Sequence, residues 1–576
     1  MQSKTTPNAP RRAPSLAHAN LVLLISMVLI LAIGIPTSGL HFYWTLLIRE
    51  VLLILGPALL FVLLLRQPVR ETLRWRLPDW RVLGGSVLIG IGGWLFDMWL
   101  GTLFGALLGY TLPLPPDFYP TTLAQALALF GLLAVAAPVC EEVLFRGLIQ
   151  RGYEQLGVWA SIVLTGLLFV LFHQSLAQGL ALIPLAILLS YLAWRTDSLP
   201  AAILAHAVNN APGALLLPLT TMLPQLAATP ESTASAEMSA ELVARLSAIS
   251  PVICLLPLAL LGGLLVLAGL WAIRRWSPAP PPLRAAALKP GLLPWLGRLW
   301  PLLVVIPLTL LVLGAEVLMG GFPELLSMGR PVQWMPPPWE DAQTWHYEVR
   351  NVLEQPVGTI DCTLRPQASL YSLTCHLQKS AYEADTGAGR YYGGDVEESL
   401  AAVWRRSNLE LQSVERERRQ EASWKAFSAI TYPTAVDVAL IAQEGERRTL
   451  RLPVPEPVLP LPLLPDRELP LARSSPPAVI ERAEWPWRFS ALPFRGVYSA
   501  QAVLLDPDPR EGGDPTLSHV SVVVYGAEPI FTPAGTFVAW RVEVGPDHVA
   551  WYDAEAPHTL VAWEDGTEKW VLTSVE

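Results

Sequence analysis

The run LAQALALFGLLAVAAPVCEEVLFRGLIQRG, residues 123–152, decides how this chain is read. Its first eighteen residues carry no charge, and some 17–25 apolar residues suffice for a helix to cross ~30 Å of hydrocarbon. The run then continues into Glu141, Glu142 and Arg146 without ceasing to be apolar around them. Even lenient scales put a charged side chain at mid-membrane at about 2.5–3.5 kcal/mol, so an intramembrane carboxylate marks function by default. Glu142 and Arg146 stand four apart and can pair along one helical face. Glu141 lies about 100° round the helix and finds no local partner.

Comparable apolar runs recur on either side. Nine candidate spans are expected near 18–36, 43–65, 82–109, 123–148, 156–173, 177–194, 199–217, 251–273 and 299–319, the fifth to seventh being short. Lys and Arg are enriched in cytoplasmic loops. Alternating nine helices from a cytoplasmic N-terminus puts Lys4, Arg11, Arg12, Arg66, Arg70, Arg74, Arg76, Arg81, Arg146, Arg151, Arg195, Arg274, Arg275, Arg284, Lys289 and Arg298 on that side. The opposite side receives only Arg245. No small-residue cleavage site follows the first apolar run, which is therefore read as a retained helix. A multi-pass protein of a bacterial plasma membrane is expected, its N-terminus cytoplasmic and everything after about residue 320 extracytoplasmic.

The composition divides at the same place. Of the charged residues, 31 fall within the first 320 positions and 58 within the last 256, so the net charge of -9 belongs mostly to the C-terminal part. Neither part has the long basic block of a nucleic-acid binder, and no nucleic-acid partner is expected. From Trp334 onward, short β-branched and aromatic runs such as WHYEVRNVL (345–353), SHVSVVVYG (518–526) and FVAWRVEVG (537–545) alternate with Gly, Pro and Asp, the pattern of antiparallel strands. LPVPEPVLPLPLLPDRELP (452–470) reads as an extended connector between two β lobes. The expected plan is thus a polytopic α-helical membrane domain of about 8–9 transmembrane helices followed by a β-rich extracytoplasmic region. Its parts are a tail at 1–17, a membrane domain at 18–320, a β domain at 321–451, a Pro-rich linker at 452–477 and a second lobe at 478–576. Cys362 and Cys375 flank a turn-like stretch and could bridge a hairpin in an oxidising compartment, while Cys140 and Cys254 read as inert buried thiols.

Two further helices bring polar groups to the depth of Glu141. The fifth supplies Phe169 and His173 at i and i+4, and the seventh His206 and Asn210 at the same spacing, each pair on one face. A carboxylate, two imidazoles and an amide are the parts needed to activate water and stabilise an oxyanion. The patterns Glu141-Glu142-x-x-x-Arg146, Phe169-x-x-x-His173 and His206-x-x-x-Asn210, together with LPAAILAHAVNN at 199–210, resemble the three motifs of the CPBP intramembrane proteases, the CAAX prenyl endopeptidase and bacteriocin-processing group also called the ABI family. The resemblance covers a core at about 121–216 and departs from it only in the polar turn Thr196-Asp197-Ser198. It implies cleavage of a peptide bond in a prenylated or other membrane-associated protein or peptide. Glu141 and His173 would activate the water, His206 and Asn210 would hold the oxyanion, and Glu142 and Arg146 would orient the site.

Other readings stand beside this one. Glu141, His173 and His206 could form a two-His, one-carboxylate zinc site, although a metal-free glutamate mechanism also fits, so the cofactor is zinc or none. The polar set could instead be a knot that glues helices together, a proton relay, or the relic site of an inactive membrane scaffold or immunity-type binding protein. Arg49, Glu50 and Asp97 read as structural charges, and Gly84, Gly90, Gly92 and Gly93 as sites of close helix packing. His346, His376, His519, His548 and His558 have no ligand-like spacing. Partners expected are membrane lipid, a peptide or membrane-protein substrate, and an extracytoplasmic protein for the C-terminal domain.

Overall fold

The computed structural model describes residues 14–37, 42–108, 114–227, 251–278, 292–321, 327, 330–385, 390–420, 423–442, 447–455, 478–481, 483–494, 498–506, 514–545 and 548–576. The basic N-terminal tail up to residue 13, Arg245, Arg284, Lys289 and the Pro-rich connector from 456 to 477 lie outside the described residues. Two compact units emerge: Met1–Thr111 with Pro120–Gly321, and Leu112–Tyr119 with Phe322–Glu576.

The first unit is helical. Its principal helices are α1 (Leu16–Thr37), α2 (Phe42–Leu64), α3 (Trp80–Leu108), α4 (Leu123–Leu156), α5 (Val158–Phe172), α6 (Leu176–Thr196), α7 (Leu199–Leu219), α8 (Pro251–Trp276) and α9 (Leu302–Gly321). Among the described residues, seven are long and apolar enough to cross a membrane, while α5 and α9 are apolar but shorter. The turn between α4 and α5 falls at Gly157, whose φ of 101° only glycine adopts without strain. Glu141 and His173 are each sixteen residues from Gly157, about 24 Å along their helices at 1.5 Å per residue. The two therefore reach the same level from one turn.

Helices α3 and α8 touch backbone to backbone. A Cβ on Gly92 would stand 2.5 Å from the carbonyl oxygen of Gly262, and one on Gly269 2.6 Å from that of Gly85. Gly90 meets Ala205 of α7 as tightly, so close packing explains Gly90 and Gly92, whereas Gly84 faces open space. Cys254, expected to be buried, is exposed.

The turn Thr196-Asp197-Ser198 has a structural explanation. Asp197 ends α6 in the left-handed region at φ 44° and gathers three guanidinium groups, with Arg151 at 3.0 Å, Arg76 at 3.3 Å and Arg74 at 3.6 Å. Arg74 is itself buried and also pairs with Glu154. The Ser198 hydroxyl accepts from the amide of Ala201, capping α7, and donates to the Arg76 carbonyl at 2.6 Å. One polar tripeptide thus closes one helix, opens the next and ties both to the chain between α2 and α3.

The second unit is built on one sheet. Fifteen strands among the described residues pair in an order that is sequential except at its centre, where the first strand (Gln343–Asn351) lies beside the last (Glu568–Val575), and where Leu370–Lys379 pairs with Val396–Arg405 past a separate two-stranded sheet. From that seam, one meander runs out to Arg447–Pro453 and another returns through Thr516–Thr532 to Ala478–Glu481, the latter strand parallel to Tyr498–Asp506. The regions expected as two lobes, 321–451 and 478–576, therefore share one sheet, because the central pairing joins strands from both. They also share one core, which includes Trp339, Trp404, Trp485, Trp487, Tyr347 and Tyr552. A single helical turn, Trp485–Arg488, sits in that core. Its Arg488 is paired with Glu484 at 2.8 Å and donates to the carbonyls of Leu409 and Val479, which satisfies a charge with no access to water. Cys362 and Cys375 lie directly opposite each other on adjacent antiparallel strands and form a disulfide. Residues Leu112–Tyr119, from the segment between α3 and α4, group with this unit, the amide of Ala527 donating to the Leu114 carbonyl at 3.0 Å.

Candidate active site

The site begins with an irregularity in α4. Pro138 has no N–H, and the helix widens ahead of it into a π turn, Gly131–Ala136, in which the amide of Ala137 reaches back five residues to the Leu132 carbonyl. The Leu133 carbonyl is thereby left without a helical donor. Asn210 of α7 supplies one, its Nδ2 donating to that oxygen at 3.0 Å. A second π turn, Val143–Ile149, follows immediately, so Glu141 and Glu142 occupy a short α-helical step between two widened turns.

Glu142 is fully buried and doubly held. Its Oε1 accepts from Arg146 Nη1 at 2.7 Å and from His206 Nδ1 at 3.0 Å. A carboxylate paired with a guanidinium only accepts, so His206 carries its proton on Nδ1 in this arrangement. Arg146, also fully buried, donates its other terminal nitrogen to the Ala186 carbonyl of α6 at 2.9 Å and lies over the Phe169 ring at 4.4 Å. His206 Nε2 is left facing Glu141 Oε2 across 3.8 Å, too far for a hydrogen bond.

His173 caps the C-terminus of α5. Its backbone amide turns to the Val170 carbonyl, three residues back, and the freed Phe169 carbonyl takes the ring Nδ1 at 2.9 Å. A carbonyl cannot donate, so Nδ1 holds the proton and Nε2 presents a lone pair. The segment after His173 is anchored from α9. Glu316 accepts from the amides of Leu176 at 2.6 Å and Ala177 at 3.1 Å and from the Ser175 hydroxyl at 3.2 Å, satisfying the first turn of α6. Phe169 meets the rings of His173 and His206 edge-on, with centroids 4.6 and 5.7 Å away, and so spaces the two imidazoles.

The structure thus assembles Glu141, Glu142, Arg146, His173, His206 and Asn210 from α4, α5 and α7. Glu142, Arg146 and His206 form one bonded chain, while Asn210 spends one of its two N–H donors on α4 itself. Sequence reasoning set aside three residues that belong to the neighbourhood. Arg49 and Glu50 stand in a π turn of α2, Arg49–Leu55, that packs against Ala137–Glu142. Glu50 is buried and its charge interacts with that of Glu141, while the charge of Arg49 acts on His173. Asn209, buried beside the named Asn210, lies near Asp97 of α3. The signal for Glu50 was present, since a carboxylate at bilayer depth is costly wherever it occurs.

A zinc site does not fit. Among the described residues no three His, Cys, Asp or Glu side chains are grouped so as to hold a metal ion, and the proposed set of Glu141, His173 and His206 is not such a group. One nitrogen of His206 is committed to Glu142 and one of His173 to Phe169, so each ring has a single nitrogen left.

Residues 122–212 match the family model described as type II CAAX prenyl endopeptidase Rce1-like. No curated protein matches the chain. Solved structures with some likeness include a β-barrel-like protein of unknown function from Brucella abortus, 9% identical, covering 41% of this chain and 97% of its own with a TM-score of 0.23. An exported protein with a YmcC-like fold from Bacteroides fragilis is 10% identical over 42% of this chain and 99% of its own, with a TM-score of 0.12. These likenesses are too slight to support any conclusion about the second unit. By its apolar helices this is an integral multi-pass membrane protein, and the segment that carries α4, α5 and the start of α7, residues 122–212, is similar to the Rce1-like type II CAAX prenyl endopeptidases.

Proposed function

We propose that the helical unit hydrolyses a peptide bond in a membrane-associated protein or peptide, a prenylated chain being one such substrate, by direct attack of water. The observation that carries this reading is the state of His173. With Nδ1–H held by the Phe169 carbonyl, Nε2 is an acceptor at the level of Glu141, whose carboxylate makes no hydrogen bond among the described residues. A water between them loses its proton to this pair as its oxygen attacks the scissile carbonyl carbon. The tetrahedral intermediate then collapses, the C–N bond breaks, and the proton passes to the departing amine. Asn210 has its second N–H left to donate to the reacting oxygen, and Glu142 and Arg146 hold the His206 ring beside it.

The second unit is read as extracytoplasmic, where it could engage a protein partner. The Cys362–Cys375 disulfide suits an oxidising compartment, and the positive loops favour the other face for the helical segments that carry them.

The test is cleavage of a membrane-anchored peptide by the full chain in proteoliposomes. Glu141→Ala and His173→Ala should each abolish turnover, and a chelator should leave the wild type unaffected. Cleavage that survives both substitutions would defeat the reading.

A further inference from the structure

We infer that Arg49 of α2 is a further catalytic residue, its guanidinium binding the oxyanion that forms when water attacks the scissile carbonyl; this rests on the hydrolytic reading above. The inference starts from a shortage of donors. A tetrahedral intermediate needs hydrogen-bond donors aimed at its oxygen, and removing one such donor typically costs about 10²–10³ in kcat. The two groups that the motif pattern points to are already partly spent, since Asn210 holds the Leu133 carbonyl and His206 Nδ1 holds Glu142.

Arg49 is an unspent donor beside the same groups. Among the described residues it makes no ion pair and no side-chain hydrogen bond, and its Nε is buried without a partner. A guanidinium left so at bilayer depth is expensive, and other charges deep in the helical unit, such as Arg146, are bonded. The π turn Arg49–Leu55 packs on Ala137–Glu142, and Arg49 is near enough to His173 for its charge to act on that ring. The neighbouring Glu50 is buried, and both Arg49 and Glu141 act on its carboxyl.

In the step itself, the water proton goes to the Glu141–His173 pair, the oxygen–carbon bond forms, and the carbonyl π electrons move to the oxygen, where Arg49 meets them. Collapse returns that electron pair as the C–N bond breaks, and the proton leaves with the amine. Water is the only co-reactant. A fixed cation stabilises charge present only in the transition state, so its loss falls on kcat rather than on KM.

The experiment pairs kinetics with binding in the full chain reconstituted in vesicles. Arg49→Met should lower kcat about 100-fold with KM within a factor of two, and Arg49→Lys should recover part of it. Binding of a peptide phosphinate, a stable tetrahedral anion, is compared with that of the parent peptide in a Glu141→Gln background, where no turnover occurs. Adding Arg49→Met there should weaken the phosphinate at least tenfold and leave the parent peptide unchanged. Equal weakening of both ligands, or an unchanged phosphinate affinity, overturns the inference. Should Glu141→Ala and His173→Ala retain cleavage, it is the hydrolytic reading that fails instead, so the two failures are told apart.

Discussion

Asn210 and Leu133 sit on different helices, yet the side-chain amide of one completes the backbone of the other across 3.0 Å. Pro138 creates the need by withholding an N–H, and α7 answers it. Asn210→Ala should therefore orphan a carbonyl and destabilise the helical unit by about 1–3 kcal/mol. Adding Pro138→Ala, which restores a backbone donor and lets the helix tighten, should recover much of that stability in a detergent melting series. If Asn210 also serves the oxyanion, activity will stay low in the double variant. Recovery of both together would reduce Asn210 to a helix clamp.

Arg146→Lys tests the bonded chain behind His206. The guanidinium reaches Glu142 and the Ala186 carbonyl at once, and a lysine ammonium is a point donor on a different stem. Breaking such a buried pair costs about 3–5 kcal/mol when one charge is left alone. The expected result for the conservative change is a lower melting temperature and a fall in kcat larger than any rise in KM. Wild-type kinetics would show that His206 needs no such support.

The glycines of α3 give a matched pair of substitutions. Gly92→Ala forces a methyl to within 2.5 Å of the Gly262 carbonyl oxygen, a backbone atom that cannot step aside, and should cost about 1–3 kcal/mol. Gly84→Ala meets nothing within 4 Å and should be neutral or stabilising by up to about 1 kcal/mol, the gain in helix propensity. Thermal unfolding of the two variants side by side checks the contrast.

The β unit should lose stability as the pH rises from about 4.5 to about 7. Burial pushes the Glu481 carboxyl up to about 7 despite the opposing pull of Arg416 at 3.4 Å and the amide of Ala483, with Glu484 and Glu398 adding to the upward shift. The folded state then keeps a proton that the unfolded chain releases above about 4.5, so the stabilisation is complete at low pH and fades as pH climbs to 7. At 1.36 kcal/mol per unit the effect is on the order of 3 kcal/mol. Denaturant unfolding of the full chain, followed by tryptophan fluorescence, should show that slope, and Glu481→Gln should flatten it.

The helices were legible because a run of eighteen uncharged residues such as 123–140 has few other uses, and because charges inside one are costly enough to announce themselves. Glu142 with Arg146, and His173 behind Phe169, followed from four-residue spacing alone. Arg49 and Glu50 did not, since their relation to Glu141 depends on how α2 packs against α4, which no local pattern encodes. Asn210 was legible as a site residue but not as the donor that Pro138 requires, because that need arises only once the π turn has shifted the hydrogen bonds by one. In the second half the strands were plain from alternation, yet their union in one sheet was not. It rests on Trp345 pairing with Val575, more than two hundred residues away, and a Pro-rich stretch between them reads locally as a division.

The engagement of Leu114 by Ala527 constrains how often the chain crosses the bilayer. Residues 112–119 belong to the same unit as everything beyond 322, so both must lie on one side, and the crossings between them must be even in number. Four long helices, α4, α6, α7 and α8, already give an even count. The two short ones, α5 and α9, must then traverse together or not at all; a topology that counts one and not the other is ruled out. Whichever holds, the total among the described helices is odd, seven or nine.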